Sequence, residues 1–151
     1  MVDFPPDLPV DYPQHQCIKK AAIDNRLPEE ILWAIRLAEG GTKGVVRQNK
    51  DGSVDVGVMQ INSVHFDYFE QKYGVKPSWL THHQCISILA GGYRLAKEIK
   101  RHGDFWRGVG DYNSRTPSLN LKYRERVLQV LERNDYSIEK MRREARRRFG
   151  G

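Results

Sequence analysis

Between Pro28 and Gly41 the chain can do little but form a helix that stops abruptly. Ile31, Ala34, Ile35 and Ala38 recur at helical spacing. Pro28 suits the first turn of that helix, and Glu29 and Glu30 suit the positive end of its dipole. Glu39 then stands against Gly40-Gly41, where glycine supplies the left-handed residue that commonly closes a helix. Taken alone, this is an ordinary helix end. The carboxylate is still awkwardly placed, because an apolar face disfavours its charge and the negative end of the dipole opposes ionisation. Both effects raise its pKa, and a carboxyl group held protonated near neutral pH is a candidate general acid.

The remaining patterns are mostly helical. Residues 14–25 place Cys17, Ile18, Ala21 and Ala22 at helical spacing. Residues 42–57 are polar and glycine-containing, which predicts a loop or short hairpin turning at Asp51-Gly52. Further helices are expected at about 63–73, 83–101 and 104–112, and Pro117 leads into a last one carrying Tyr123, Val127, Leu128, Val130 and Leu131. In the second of these, Ile86, Leu89, Ala90, Tyr93, Leu95 and Ile99 form a broad apolar face, and Gly91-Gly92 permit close packing. Pro5-Pro6, Pro9 and Pro13 mark an extended N-terminal arm over residues 1–13. The expected organisation is that arm, one mainly α domain with a small β-hairpin over 14–134, and a basic tail over 135–151. A chain of 151 residues suits a single domain with a real core.

The net charge of +6 is unevenly spread. Six basic residues against two acidic ones crowd into 138–148, leaving only +2 for the rest. The plain reading is a solvated helical end, and a sharper one is contact with an anionic polymer, lipid or acidic partner. Nucleic acid is not expected, since the basic run 138–148 has no interleaved aromatics beyond Phe149 and no binding module accompanies it. No apolar run is long enough for a transmembrane span. Met1 to Val10 lacks a signal-peptide pattern, so either a leader has been removed or that export route is not used. The two cysteines fit either one disulfide in an oxidising compartment or two buried thiols. His82-His83 beside Cys85 fill no metal-ligand pattern and read as solvated helix-start residues, so no metal or cofactor is expected. Trp33, Trp79 and Trp106 read as core or cleft wall, and His15 and His65 have no evident acid–base partner.

A second segment, Gly57-Val58-Met59-Gln60-Ile61-Asn62-Ser63, changes the weight of Glu39. With Glu39-Gly40-Gly41 before it and Asp111-Tyr112-Asn113-Ser114 after it, the order resembles the soluble lytic transglycosylase family. That family carries Glu-Ser-Gly at a helix end, then Gly-Leu-Met-Gln, then Ala-Tyr-Asn. Tyr123 and Val127 look like its closing Tyr-x-x-x-Val helix, so the likeness covers about residues 14–131. Asn49-Lys50-Asp51-Gly52-Ser53-Val54-Asp55-Val56-Gly57 is similar to the approach found in small members that accompany type IV secretion, conjugation and pilus machinery. Those members tend to pair an early cysteine with a central one, which implies a Cys17–Cys85 bridge.

The resemblance implies a lysozyme-like fold and a peptidoglycan substrate cleaved between N-acetylmuramic acid and N-acetylglucosamine. Glu39 would be the catalytic residue. It would protonate the glycosidic oxygen, then take the proton from the muramoyl C6 hydroxyl as that hydroxyl attacks the anomeric carbon. Gln60 and Asn62 would meet sugar hydroxyl and acetamido groups, and Met59 would line the cleft. Tyr112, Asn113 and Tyr123 would complete the substrate site, with core packing an equal reading for Tyr123, and Ser53 would help position the Glu39 carboxyl. The implied partners are glycan strands and an envelope-spanning apparatus, in a periplasmic or other extracytoplasmic location. Departures are Gly40 for the usual Ser, Asp111 for Ala, and Leu119 for a glutamate that larger members carry. Two alternatives stay open: a goose-type-like muramidase in which Asp51 or Asp55 directs water, and a catalytically idle wall-binding module.

Overall fold

A computed structural model of the chain describes residues 7–134 and Arg147. The first part of the expected arm and the basic tail, except Arg147, lie outside those residues. The described chain is mainly helical with one small antiparallel sheet. Helix α1 (Gln14–Asn25) buries Cys17, Ile18, Ala21 and Ala22, the residues that share its apolar stripe. Helix α2 (Glu29–Glu39) follows, with Pro28 as its N-cap rather than inside the first turn, and buries Ile31, Leu32, Ala34 and Ile35.

The expected hairpin is present and gains a third strand. Strands β1 (Val46–Gln48) and β2 (Val54–Val56) pair antiparallel, Val46 opposite Val56 and Gln48 opposite Val54. Asp51-Gly52 lie in the connection between them. Strand β3 (Ile61–Asn62) pairs with β2, placing Asn62 opposite Asp55. Gly57 turns the chain between β2 and β3 at φ 72°, where a side chain would also run into the Leu80 carbonyl. Only glycine fits there.

A single 3-10 turn (Ser63–His65) leads into α3 (Phe66–Tyr73). A short helix α4 (Pro77–His82) comes next, which the sequence pattern does not announce. Helix α5 (Gln84–His102) is the central one, packed against α1 on one side and α6 (Phe105–Asn113) on another. Its Gly91 makes room for Met59, whose side chain would collide with any β-carbon at that position. Helix α7 (Pro117–Arg133) packs on α6 and α2 and buries Tyr123, Val127, Val130 and Leu131. This last contact brings Tyr123 to the end of α2.

Two features fasten the N-terminal side to α5. Cys17 and Cys85 form a disulfide with a Cα–Cα distance of 5.1 Å, closing 68 residues of sequence separation. On the chain-entropy account, a loop of that length is worth about 4 kcal/mol. Asp11 accepts from the backbone N–H groups of Gln84 (2.8 Å) and Cys85 (3.1 Å), satisfying donors at the start of α5. Burial pushes the Asp11 carboxyl up, but those N–H bonds and that of Tyr12 outweigh it and hold its pKa below the ordinary value. His83 departs from the solvated role expected of it. It is buried, its Nδ1 accepts from the Ile86 N–H, and its Nε2 lies 2.9 Å from the Val10 carbonyl oxygen. No described helix is long and apolar enough to cross a membrane.

Candidate active site

Glu39 is the last residue of α2, and Gly40 closes the helix at φ 63° with its N–H on the Arg36 carbonyl. The carbonyls left open by the helix end meet a cation. Arg47 of β1 donates to the Glu39 oxygen at 3.2 Å and the Gly40 oxygen at 3.0 Å. The side-chain carboxyl faces the other way, into the fold. Tyr123 donates to Glu39 Oε1 at 2.9 Å.

Burial dominates the Glu39 carboxyl and raises its pKa to about 7. The Tyr123 hydrogen bond opposes this, the charge of Asp55 adds to it, and Arg126 and Arg94 oppose it more weakly. The result is a group present in both protonation states near neutrality. That is what a residue acting first as acid and then as base requires.

Two tyrosines buttress it. Tyr123 and Tyr112 stack at 6.5 Å between ring centroids, with an interplanar angle of 19°. Tyr112 donates to the Met59 carbonyl at 2.8 Å, tying α6 to the segment before β3. Burial pushes both phenols above their ordinary pKa, and the charge of Glu39 pushes further in the same direction. Both remain donors across the neutral range. Arg94 lies 4.8 Å over the face of Tyr112.

A cleft of about 720 Å³ opens over this arrangement. Glu39 and Gln60 lie among its lining residues, with Asn49, Asp51, Ser53, Asp55 and Asn62 on the sheet side. Tyr112, Asn113, Ser114, Arg115 and Leu119 supply the helical side, and Val64, His65, Arg94 and Glu98 extend it. Burial, then Arg94, lowers His65 to about 4, so it is neutral at ordinary pH.

Most expected site residues therefore meet in one cleft, but several do something other than expected. Met59 is fully buried against Gly91 and is not among the lining residues; only its carbonyl serves the site, through Tyr112. Tyr123 is 2% exposed and grips Glu39 from the core side, the core-packing one of its two expected readings. Ser53 does not hold Glu39. Its hydroxyl donates to Asp51 at 2.6 Å and accepts from Asn49 and Asn62, which the tight 49–53 connection brings against it.

Asn62 spends its amide inside the wall, donating to Asp55 at 2.9 Å and to Ser53, while its oxygen accepts from the Val64 N–H. Gln60 sits at φ 53° and donates to the Gly57 carbonyl at 2.9 Å, bracing the turn beneath the cleft. Asn113 is exposed at the rim.

Sequence reasoning missed Arg47, Arg94, Glu98 and Arg115. A signal was present for two of them. Arg94 and Glu98 continue the i, i+4 row from Ala90 on a helix whose neighbouring positions are apolar, and Glu98 is buried. A charge on a core-facing row needs a partner or a purpose.

Residues 16–126 match the family profile described as "Transglycosylase SLT domain". The chain is 34% identical over 116 residues to Invasion protein IagB of Salmonella typhi, covering 76% of this chain and 72% of that one. It is 30% identical over 134 residues to Protein IpgF of Shigella flexneri, covering 88% of each. It is 33% identical over 99 residues to the X polypeptide of Escherichia coli, covering 65% of this chain and 58% of that one.

Proposed function

This chain belongs to the transglycosylase SLT domain family, and on that premise we propose that it is a peptidoglycan lytic transglycosylase in which Glu39 is both acid and base. The reading rests on the Glu39 carboxyl itself, with its pKa near 7 in a cleft of about 720 Å³. Protonated Glu39 donates to the oxygen joining N-acetylmuramic acid to N-acetylglucosamine, and the bond from that oxygen to the anomeric carbon breaks. The carboxylate so formed removes the proton of the muramoyl C6 hydroxyl as its oxygen bonds to the same carbon. Glu39 ends protonated, the sugar ends as a 1,6-anhydro ring, and no water is consumed.

In this reading Tyr123 steadies the carboxylate between the two steps, which shortens the reach of the proton without itself transferring one. Tyr112 and Gln60 hold the floor, Ser53 and Asn62 hold the sheet wall against Asp55, and Asn113 meets the substrate at the rim. Residues 14–134 form the working domain, flanked by the arm and the basic tail. The substrate and the Cys17–Cys85 bridge support a periplasmic or other extracytoplasmic setting. The sequence approaching Gly57, and a relative named as an invasion protein, support local opening of the wall for a secretion, conjugation or pilus apparatus.

The test is digestion of purified sacculi by wild type and Glu39→Gln. The variant keeps size and polarity but moves no proton, so release should fall at least about 100-fold. Equal release would remove the reading, and an inactive wild type would favour a wall-binding module.

One observation favours a second reading. Asp55 shares the cleft and its charge acts on Glu39. A second carboxylate is what a hydrolase uses to direct water, so a muramidase acting on the same bond is the alternative.

A further inference from the structure

Asp111 and Asn120 are polar side chains only 6% and 3% exposed, and the chemistry above leaves both unused. A buried carboxylate and a buried amide cost free energy unless each finds a partner. These two find each other across the contact between α6 and α7. Asn120 donates to Asp111 Oδ1 at 2.7 Å and, from the same amide nitrogen, to the Arg107 carbonyl at 3.1 Å. Its oxygen accepts from Arg124 of its own helix. His102 Nε2 of α5 lies 3.3 Å from the second Asp111 oxygen. Gly110 permits the close seating, because a β-carbon there would stand 2.1 Å from the Asn120 oxygen. Both amide protons of Asn120 are thus committed to α6, which fixes where α7 sits along it.

That register matters for Glu39. Asp111 immediately precedes Tyr112 on α6, and Asn120 stands about one turn before Tyr123 on α7. Tyr112 and Tyr123 stack, and Tyr123 carries its hydroxyl to Glu39. The Met59 carbonyl already anchors Tyr112, so α7 is the side of the pair that still needs registering. A hydrogen bond weakens steeply once its angle is lost, so a small slip of α7 loosens the grip on Glu39. An alanine, common at position 111 in the family, would offer Asn120 no acceptor.

We propose that Asp111 and Asn120 are positioning residues for Glu39: their buried bond sets the register of α7 on α6 and so holds the Tyr123 hydroxyl on the carboxyl. This deepens the acid–base reading above, on which it rests.

The test follows the Glu39 carboxyl by NMR through its titration, in the full chain labelled with carbon-13 glutamate and assigned with Glu39→Gln. The groups that act on it are Tyr123 and Arg126 from α7, Arg94 from α5 and Asp55 from β2, and Asp111→Ala alters none of them. Asp111→Ala should raise the Glu39 midpoint by about 0.5 pH unit, against about 1 for Tyr123→Phe, as a hydrogen bond to the charged form is weakened or lost. Removing a negative charge alone would lower the midpoint, so the sign reports the contact. Asp111→Asn keeps an acceptor oxygen and should stay near the wild-type value. In a Tyr123→Phe background, Asp111→Ala should add no further rise. A midpoint that Asp111→Ala leaves unmoved or lowers, or an equal rise in both backgrounds, would overturn the proposal. A merely structural pair predicts only a lower melting temperature. Asn120→Ser withdraws the donor from α7 and gives the same readout should Asp111→Ala fail to fold. The titration needs no turnover, so digestion of sacculi by wild type tests the acid–base reading separately.

Discussion

The raised pKa of Glu39 makes a prediction about stability that needs no substrate. In the unfolded chain this carboxyl ionises near 4.5, and in the fold near 7. Between those values the native state binds more protons than the unfolded state, so Glu39 makes stability fall as pH rises through that window. The penalty is absent below about 4.5 and complete above about 7. At about 1.4 kcal/mol per pH unit, the ionised form costs the fold about 3 kcal/mol. Glu39→Gln removes that penalty while its amide oxygen still accepts the Tyr123 hydrogen bond. The variant should match wild type near pH 4.5 and exceed it by up to about 3 kcal/mol at pH 8, about 10 °C in melting temperature for a domain of this size. Paired thermal melts of the oxidised proteins across that range measure the difference directly. A gap that does not change with pH, or a variant less stable at pH 8, would refute the claim that burial strains this carboxyl.

Three further outcomes are expected. Tyr123→Phe removes the hydrogen bond that lowers the Glu39 pKa, so the alkaline limb of the pH–rate profile should move upward and kcat should fall about 3- to 10-fold. Reducing the Cys17–Cys85 bridge should lower unfolding free energy by about 4 kcal/mol, seen as an earlier denaturant midpoint with dithiothreitol, and the untreated protein should show no reactive thiol. Asp55→Asn should lower the Glu39 pKa, because the Asp55 charge raises it, and should cost far less activity than Glu39→Gln. A loss as large as that of Glu39→Gln would favour the muramidase.

How much of this was legible in the sequence depended on how local the cause was. Glu39 at a glycine-closed helix end is a short-range pattern, and the chain spells it out within a dozen residues. The tyrosine that holds Glu39 lies 84 positions away, so only a family likeness could nominate it, and local pattern left site role and core packing equally open. Met59 was misplaced because the chain around it is irregular. With Gly57 at φ 72° and Gln60 at φ 53°, neither helical nor strand alternation predicts which side chain turns inward. Strand β3 is two residues long and α4 six, too short to carry a period.

The central claim is that the nucleophile is the substrate's own hydroxyl and that Glu39 alone manages the protons. Mass spectrometry of the muropeptides released from sacculi tests this most directly. Products should end in 1,6-anhydro-N-acetylmuramic acid, formed by wild type and absent with Glu39→Gln. Products with reducing ends, one water heavier, would contradict it.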